Sequence, residues 1–210
     1  MNELKVIDLG KKFKENSVFS NVNVSFEEGN IYGIIGENGS GKTVFLKTLC
    51  GLLMPTSGKV VYNGKVLKKD FDFLPSIGII IEKPGFFDEM TGFDNLKLLA
   101  SIQNKIDDKR IREVLEFVRL ENNRKVVKKY SLGMKQRLGI AQAIMENPDI
   151  LILDEFSNAL DTEGVKMTHD LLRELKQQNK IIIITSHSKF DINTLCDQVY
   201  SFKKGIFSHE

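Results

Sequence analysis

The chain has 210 residues, 41% of them hydrophobic, enough for a sizeable core in one or two domains. Lysine and arginine number 30 against 28 acidic residues, and a net charge of +2 is too balanced to mark nucleic acid or an anionic surface as the main partner. There is no apolar stretch of roughly 18 residues or more, so the chain is not expected to span a membrane by itself, and residues 1–5 lack the apolar core of a secretory signal.

In chain order, residues 4–9 and 22–26 run or alternate apolar over strand lengths. Residues 31–35 form a short apolar run, as a buried strand should. The next eight, GENGSGKT at 36–43, match the phosphate-binding pattern G-x-x-x-x-G-K-[ST] at every fixed position. From Val44 to Gly51 the apolar residues recur at helical spacing and end in glycine. The pattern therefore sits between strand and helix, the context that confirms it. Its glycines let the backbone curl until several N–H groups face inward, and the helix N-terminus adds partial positive charge there. Lys42 is suited to reach the β- and γ-phosphates, and the Thr43 hydroxyl to ligate Mg²⁺.

Residues 59–67 read as a hairpin in which Asn63-Gly64 fits a type I′ turn. These early strands suggest an antiparallel sheet around the phosphate loop. Residues 77–81 form a further strand, mostly isoleucine and expected to be buried on both faces. Residues 84–147 turn helical, with Ile111, Val114, Leu115 and Val118 at helical spacing and Asp107 as N-cap. The runs Ile150–Leu153 and 181–184 flank a helical stretch at 162–178, so parallel pairing with a right-handed crossover follows. Cys50 and Cys196 are far apart in apolar runs and read as buried, reduced thiols.

Three features carry chemistry beyond the loop. Asp154 ends the strand Ile150–Leu153, where a carboxylate can support Mg²⁺, and Glu155 follows it, placed to polarise a water. Upstream, YSLGMKQR at 130–137 opens an amphipathic helix with Ser131 as N-cap, itself an anion site. Thr185, Ser186 and His187 follow the strand at 181–184.

With these residues in this order, almost the whole chain resembles the ATP-binding-cassette (ABC) ATPases, the engine subunits of ABC transporters. The resemblance implies an α/β fold: a P-loop NTPase (RecA-like) core with an antiparallel β subdomain and an inserted α-helical subdomain. It implies one such domain over residues 4–209, with the helical insert at about 84–147. Residues 130–134 resemble the family's Leu-Ser-Gly-Gly-Gln signature. Ser131 and Gly133 keep its phosphate-facing positions, while Leu132 and Met134 replace a Gly and the Gln. Gly36, Glu37, Asn38, Gly39, Ser40, Gly41, Lys42, Thr43 and Val44 would line the nucleotide, with ATP and Mg²⁺ as cofactors. Phe13 resembles the aromatic that stacks on adenine, the alternative being a core phenylalanine. Asp161, in the segment 158–161, resembles part of the D-loop that crosses between subunits. His187 resembles the switch histidine that contacts the γ-phosphate.

Glu82 stands where most of the family has Gln. With the YSLGMKQR segment, it is similar to the branch that exports, or gives immunity to, bacitracin-like and lantibiotic peptides. Glu82 is expected to be a metal-proximal coupling residue, with Thr43 and Asp154 as the other metal-side groups; the alternative is a neutral substitution. Phe86 and Phe87 follow where the family docks its membrane subunit; they are either an exposed socket contact or packed beneath the helical subdomain. The basic cluster at 124–129 reads as a solvated loop, the alternative being a contact for lipid headgroups or the partner.

One phosphate loop and one signature imply half of a shared site, completed by a second copy. The further implied partner is an integral membrane permease, at the cytoplasmic face of a bacterial cell membrane, with no nucleic acid. A soluble ABC-type ATPase acting on ribosomes or DNA is the alternative; such relatives join two cassettes or insert coiled coils, neither visible here. A catalytically silent binding module is disfavoured by the presence of Lys42, Asp154, Glu155 and His187 together.

Overall fold

The computed structural model describes residues 2–121, 124–203 and 205–210. Along the chain run β1 (Glu3–Phe13), β2 (Asn16–Glu27), β3 (Asn30–Gly36), α1 (Lys42–Leu49), β4 (Ser57–Tyr62), β5 (Lys65–Val66) and β6 (Ile77–Ile80). Then follow α2 (Gly92–Gln103), α3 (Asp108–Phe117), a 3-10 turn (Val127–Lys129), α4 (Leu132–Ile144), β7 (Ile150–Leu153), α5 (Thr162–Gln177) and β8 (Ile181–Thr185). The last elements are α6 (Lys189–Leu195), β9 (Gln198–Lys203) and β10 (Ile206–His209).

Strand periodicity divides the apolar runs between two cores. Successive residues point to opposite faces of a strand. Ile182 and Ile184, with Leu151 and Leu153, face the helices α2 to α6. Ile181 and Ile183, with Ile150 and Ile152, face α1 and the first sheet. The central sheet has the order β10-β9-β3-β8-β7-β6. β9, β3, β8, β7 and β6 are parallel, and β10 pairs antiparallel to β9. The first sheet is antiparallel, in the order β2-β1-β4-β5. Helix α1 lies between the two sheets, burying Phe45, Leu46 and Leu49. The topology places the C-terminal ends of β3, β7 and β8 side by side, where open parallel sheets bind ligands.

The Asn63-Gly64 turn has φ of 50° and 80°, both left-handed as a type I′ turn requires. Asp107 caps α3, its side chain accepting from the Arg110 N–H. The β6 expectation is corrected. Gly78 and Ile80 are buried beneath α4, while Ile77 and Ile79 on the other face are only partly buried against the α1-side core, because β6 is the edge strand. A Cβ at Gly78 would collide with the Ala143 carbonyl of α4, so this close crossing needs glycine. Both thiols are free and end helices as C-caps. Burial pushes each up to about 12, which keeps them protonated and unreactive near neutral pH.

Candidate active site

Strand β3 delivers the chain to Gly36, whose φ of 152° brings its backbone against β9. A Cβ there would lie 2.6 Å from the Phe202 carbonyl oxygen and 2.7 Å from Ser40 Oγ. At the other end of the loop Gly41 caps α1 in the left-handed region, φ 111°. A side chain at Gly41 would press on Val18 of β2, so the β1–β2 hairpin stands against the loop. Glu37, Asn38 and Gly39 are exposed between these anchors, and Val44 is half-buried on α1. Lys42 is 7% exposed, and its Nζ donates to the Gly36 and Glu37 carbonyls at 2.7 and 3.1 Å. That fixes the ammonium at the mouth of the curl. Among the described residues, Ser40 Oγ is the buried side-chain polar atom with no protein partner. A buried hydroxyl without a partner, at the start of a helix, suits a phosphate oxygen.

The carboxylates meet this loop from β7. Asp154, buried, accepts from Thr43 Oγ1 on one oxygen at 2.8 Å and from Thr185 Oγ1 on the other at 2.6 Å. Thr43 and Asp154 thus present adjacent oxygen donors of the kind Mg²⁺ takes alongside phosphate oxygens. Thr185 also accepts from the Glu155 N–H at 2.8 Å, so one β8 hydroxyl sets both acidic residues. Its role was missed in the sequence because a threonine ending a strand carries no signal by itself. Glu155 adopts φ 52°, a strained conformation held from both sides. One of its oxygens faces His187 Nε2 at 3.0 Å, and the other accepts from Asn158 Nδ2 at 3.3 Å. Asn158 is a second contact that sequence reasoning did not assign.

The signature-like segment is a capped helix start on the surface. Ser131 caps α4 through the Met134 N–H at 3.2 Å, and Leu132 is 63% exposed. A Cβ at Gly133 would sit 2.8 Å from the Ala159 carbonyl, so glycine lets the segment after Glu155 pass close. Two α4 side chains hold that segment. Gln136 Nε2 donates to the Phe156 carbonyl at 3.0 Å, and Arg137 Nη2 donates to Asp161 at 2.6 Å. Asp161 also caps α5 by accepting from the Gly164 N–H. The Gly164 N–H and the Arg137 guanidinium together hold its carboxyl below the usual range.

Residues 19–158 match the family described as ABC transporter. The chain belongs to the ABC transporter family, as an ATP-binding subunit. An uncharacterized ABC transporter ATP-binding protein of Bacillus subtilis, YybJ, is 47% identical over 203 residues, spanning 96% of this chain and 93% of the relative. The bacitracin transport ATP-binding protein BcrA of Bacillus licheniformis is 40% identical over 96% of this chain and 67% of its own length. The lantibiotic transport ATP-binding protein SrtF of Streptococcus pyogenes is 35% identical over 92% and 84%. Among solved structures, an ATP-binding subunit of an ABC transporter superposes with a TM-score of 0.89 at 25% identity, covering 98% of this chain and 89% of that one. The dimeric ABC cassette MJ0796 superposes at 0.87 with 23% identity, over 98% of both chains.

Set in the ABC fold, the remaining residues sort clearly. Phe13 is not in the core: it is 47% exposed near the tip of the β1–β2 hairpin, with Lys11 Nζ 4.9 Å from its ring centre. Phe86 and Phe87 divide the two readings between them. Phe86 packs on the helix-side core, and Phe87 is 61% exposed. The Glu82 carboxylate pairs with Lys47 of α1 at 2.8 Å. Lys47 thereby offsets the negative charge that Glu82 adds where most of the family has Gln. In the basic cluster, Lys128 and Lys129 are exposed, and Val127 anchors the turn in the core; residues 122 and 123 beside it lie outside the described residues.

Proposed function

We propose that this ATPase works as one half of an ATP-driven clamp that powers a separate membrane permease in exporting a peptide antibiotic. The observation that carries the reading is the pairing of Glu155 with His187 at 3.0 Å, beside the Lys42 loop and the Thr43–Asp154 pair. Lys42 and the loop N–H groups bind and orient the triphosphate. Glu155 accepts a proton from the attacking water while His187 and Asn158 fix its two oxygens. Phe13 offers a flat exposed face to adenine. Thr43 and Asp154 would hold Mg²⁺, which supplies neutralisation of phosphate charge.

The second half of the site is a second copy. Ser131 and Gly133 lie at an exposed helix start, which suits an anion presented from outside the chain. Closure then depends on the γ-phosphate, because its charge is what the facing helix ends share. Among the described residues, no helix is long and apolar enough to cross a membrane. The exposed Phe87, beside Asp88 and its ion pair with Lys135, is our contact for the permease. The cargo class rests on likeness to the bacitracin and lantibiotic transport proteins.

Affinity purification of the tagged chain from detergent-solubilised bacterial membranes is expected to recover a polytopic membrane protein in near-stoichiometric amount. Recovery of ribosomal proteins in its place would favour the soluble alternative and overturn the transport reading.

A further inference from the structure

Beneath the Glu155–His187 pair lies a second, fully buried ionisable pair that the chemistry above does not use. His169 of α5 and Asp191 of α6 are 3% and 2% exposed, and Ser186, just after β8, is 5% exposed. A carboxylate removed from water is tolerated only when its lone pairs are satisfied. Asp191 meets that condition. One oxygen lies 2.9 Å from His169 Nε2, and the other accepts from Ser186 Oγ at 2.8 Å.

Ser186 Oγ donates to Asp191, and the His169 tautomer that carries its proton on Nε2 donates to the other oxygen. Ser186 Oγ is then left to accept, which it does from the Ser188 N–H at 3.0 Å and from Ser157 Oγ at 3.4 Å. Ser186 and Ser188 are the two chain neighbours of His187. Ser157 lies two residues beyond Glu155. Phe156, between them, places its ring 6.1 Å from the His169 ring while its carbonyl is held by Gln136 of the signature helix. One buried carboxylate therefore ties down the backbone on both sides of His187 and reaches the segment that carries Glu155.

We propose that His169 and Asp191 are positioning residues for hydrolysis: they hold His187 against Glu155, and through Gln136 they link that geometry to the signature helix. The inference rests on the roles given above to Glu155 and His187. An apolar pair would join α5 to α6 equally well without a desolvation cost. What the polar pair adds is a directional constraint on the residues flanking His187. Displacement of a reacting group by about 1 Å can cost on the order of 100-fold in rate.

The test is steady-state ATP hydrolysis by the purified full chain, with fluorescent-ATP binding and melting temperature measured on the same samples. Asp191→Asn turns one acceptor into a donor, and His169→Leu removes the bond. Each is expected to lower kcat by about 10- to 100-fold, with KM and ATP affinity changed less than about threefold. His169→Gln can still donate to Asp191 and is expected to recover kcat to within about threefold of the parent. Ser186→Ala deletes one hydroxyl and should lower kcat in a folded protein, so it decides the matter if Asp191→Asn does not fold. Parental kcat in Ser186→Ala and His169→Leu would overturn the proposal. So would losses that follow melting temperature and are not relieved in His169→Gln. Glu155→Gln assayed in parallel separates the two failures: if it turns over normally, the assigned role of Glu155 is what is wrong.

Discussion

Glu155→Gln is expected to lower ATP turnover by about 100- to 10,000-fold while ATP affinity changes by less than about twofold. The substitution keeps the size of the side chain and its ability to accept from Asn158, whose Nδ2 lies 3.3 Å away. What it removes is basicity, in the one carboxylate that faces His187 at 3.0 Å. Asp154 does not substitute, because it is 5% exposed between Thr43 and Thr185, whereas the Glu155 side chain is 23% exposed and open to a water. Glu82→Gln is the matched control. Glu82 is 63% exposed at its side chain and paired with Lys47, so its loss should cost turnover less than about threefold, as exposed ion pairs contribute little. Equal loss in the two variants would show that Glu82 acts at the reacting centre.

Lys42→Met is expected to weaken ATP binding by about 100-fold or more, measured by titration calorimetry. Each charge-assisted hydrogen bond contributes about 1.5–3 kcal/mol, and two such bonds to phosphate oxygens correspond to that loss at 1.4 kcal/mol per tenfold. Methionine keeps an apolar stem in this 7% exposed position but gives up the ammonium's bonds to the Gly36 and Glu37 carbonyls. Melting temperature should therefore fall modestly, a smaller effect than the loss of affinity. A variant that melts normally and binds ATP with parental affinity would remove Lys42 from the phosphate site.

The contrast between residues that could be read from the sequence and those that could not has a physical basis. The phosphate loop, the capped helices at Asp107 and Ser131, and the Asn63-Gly64 turn are local: each depends on a few neighbouring residues and on backbone rules. The central strands at 150–153 and 181–184 were legible because burial on two faces demands continuous apolar residues. β9 and β10 were not, since residues 198–209 mix Tyr200, Ser201, Phe202 and Lys203 in a pattern set by packing on β3 and α1. β6 was over-read for the converse reason: its isoleucines look like a central strand, and only the sheet order reveals an edge. Thr185 bonds to Asp154, 31 residues away, and His169 to Asp191, 22 away, and no spacing rule connects them, while Asn158 reaches back three residues to Glu155 through a turn that the sequence does not mark. Glu82 was legible as a departure, but its partner Lys47 was not, because the pairing depends on how α1 lies against the end of β6.

The central claim is that Gly36 to Thr43 forms one jaw of a nucleotide site completed by Ser131 and Gly133 of a second copy. Sedimentation velocity of the Glu155→Gln chain, with and without ATP, tests it most directly. A monomer is expected without nucleotide, a dimer with ATP, and a monomer again when Ser131→Arg is added, since a bulky cation would block the facing helix start. A monomer under all three conditions, with ATP shown to be bound, would contradict it.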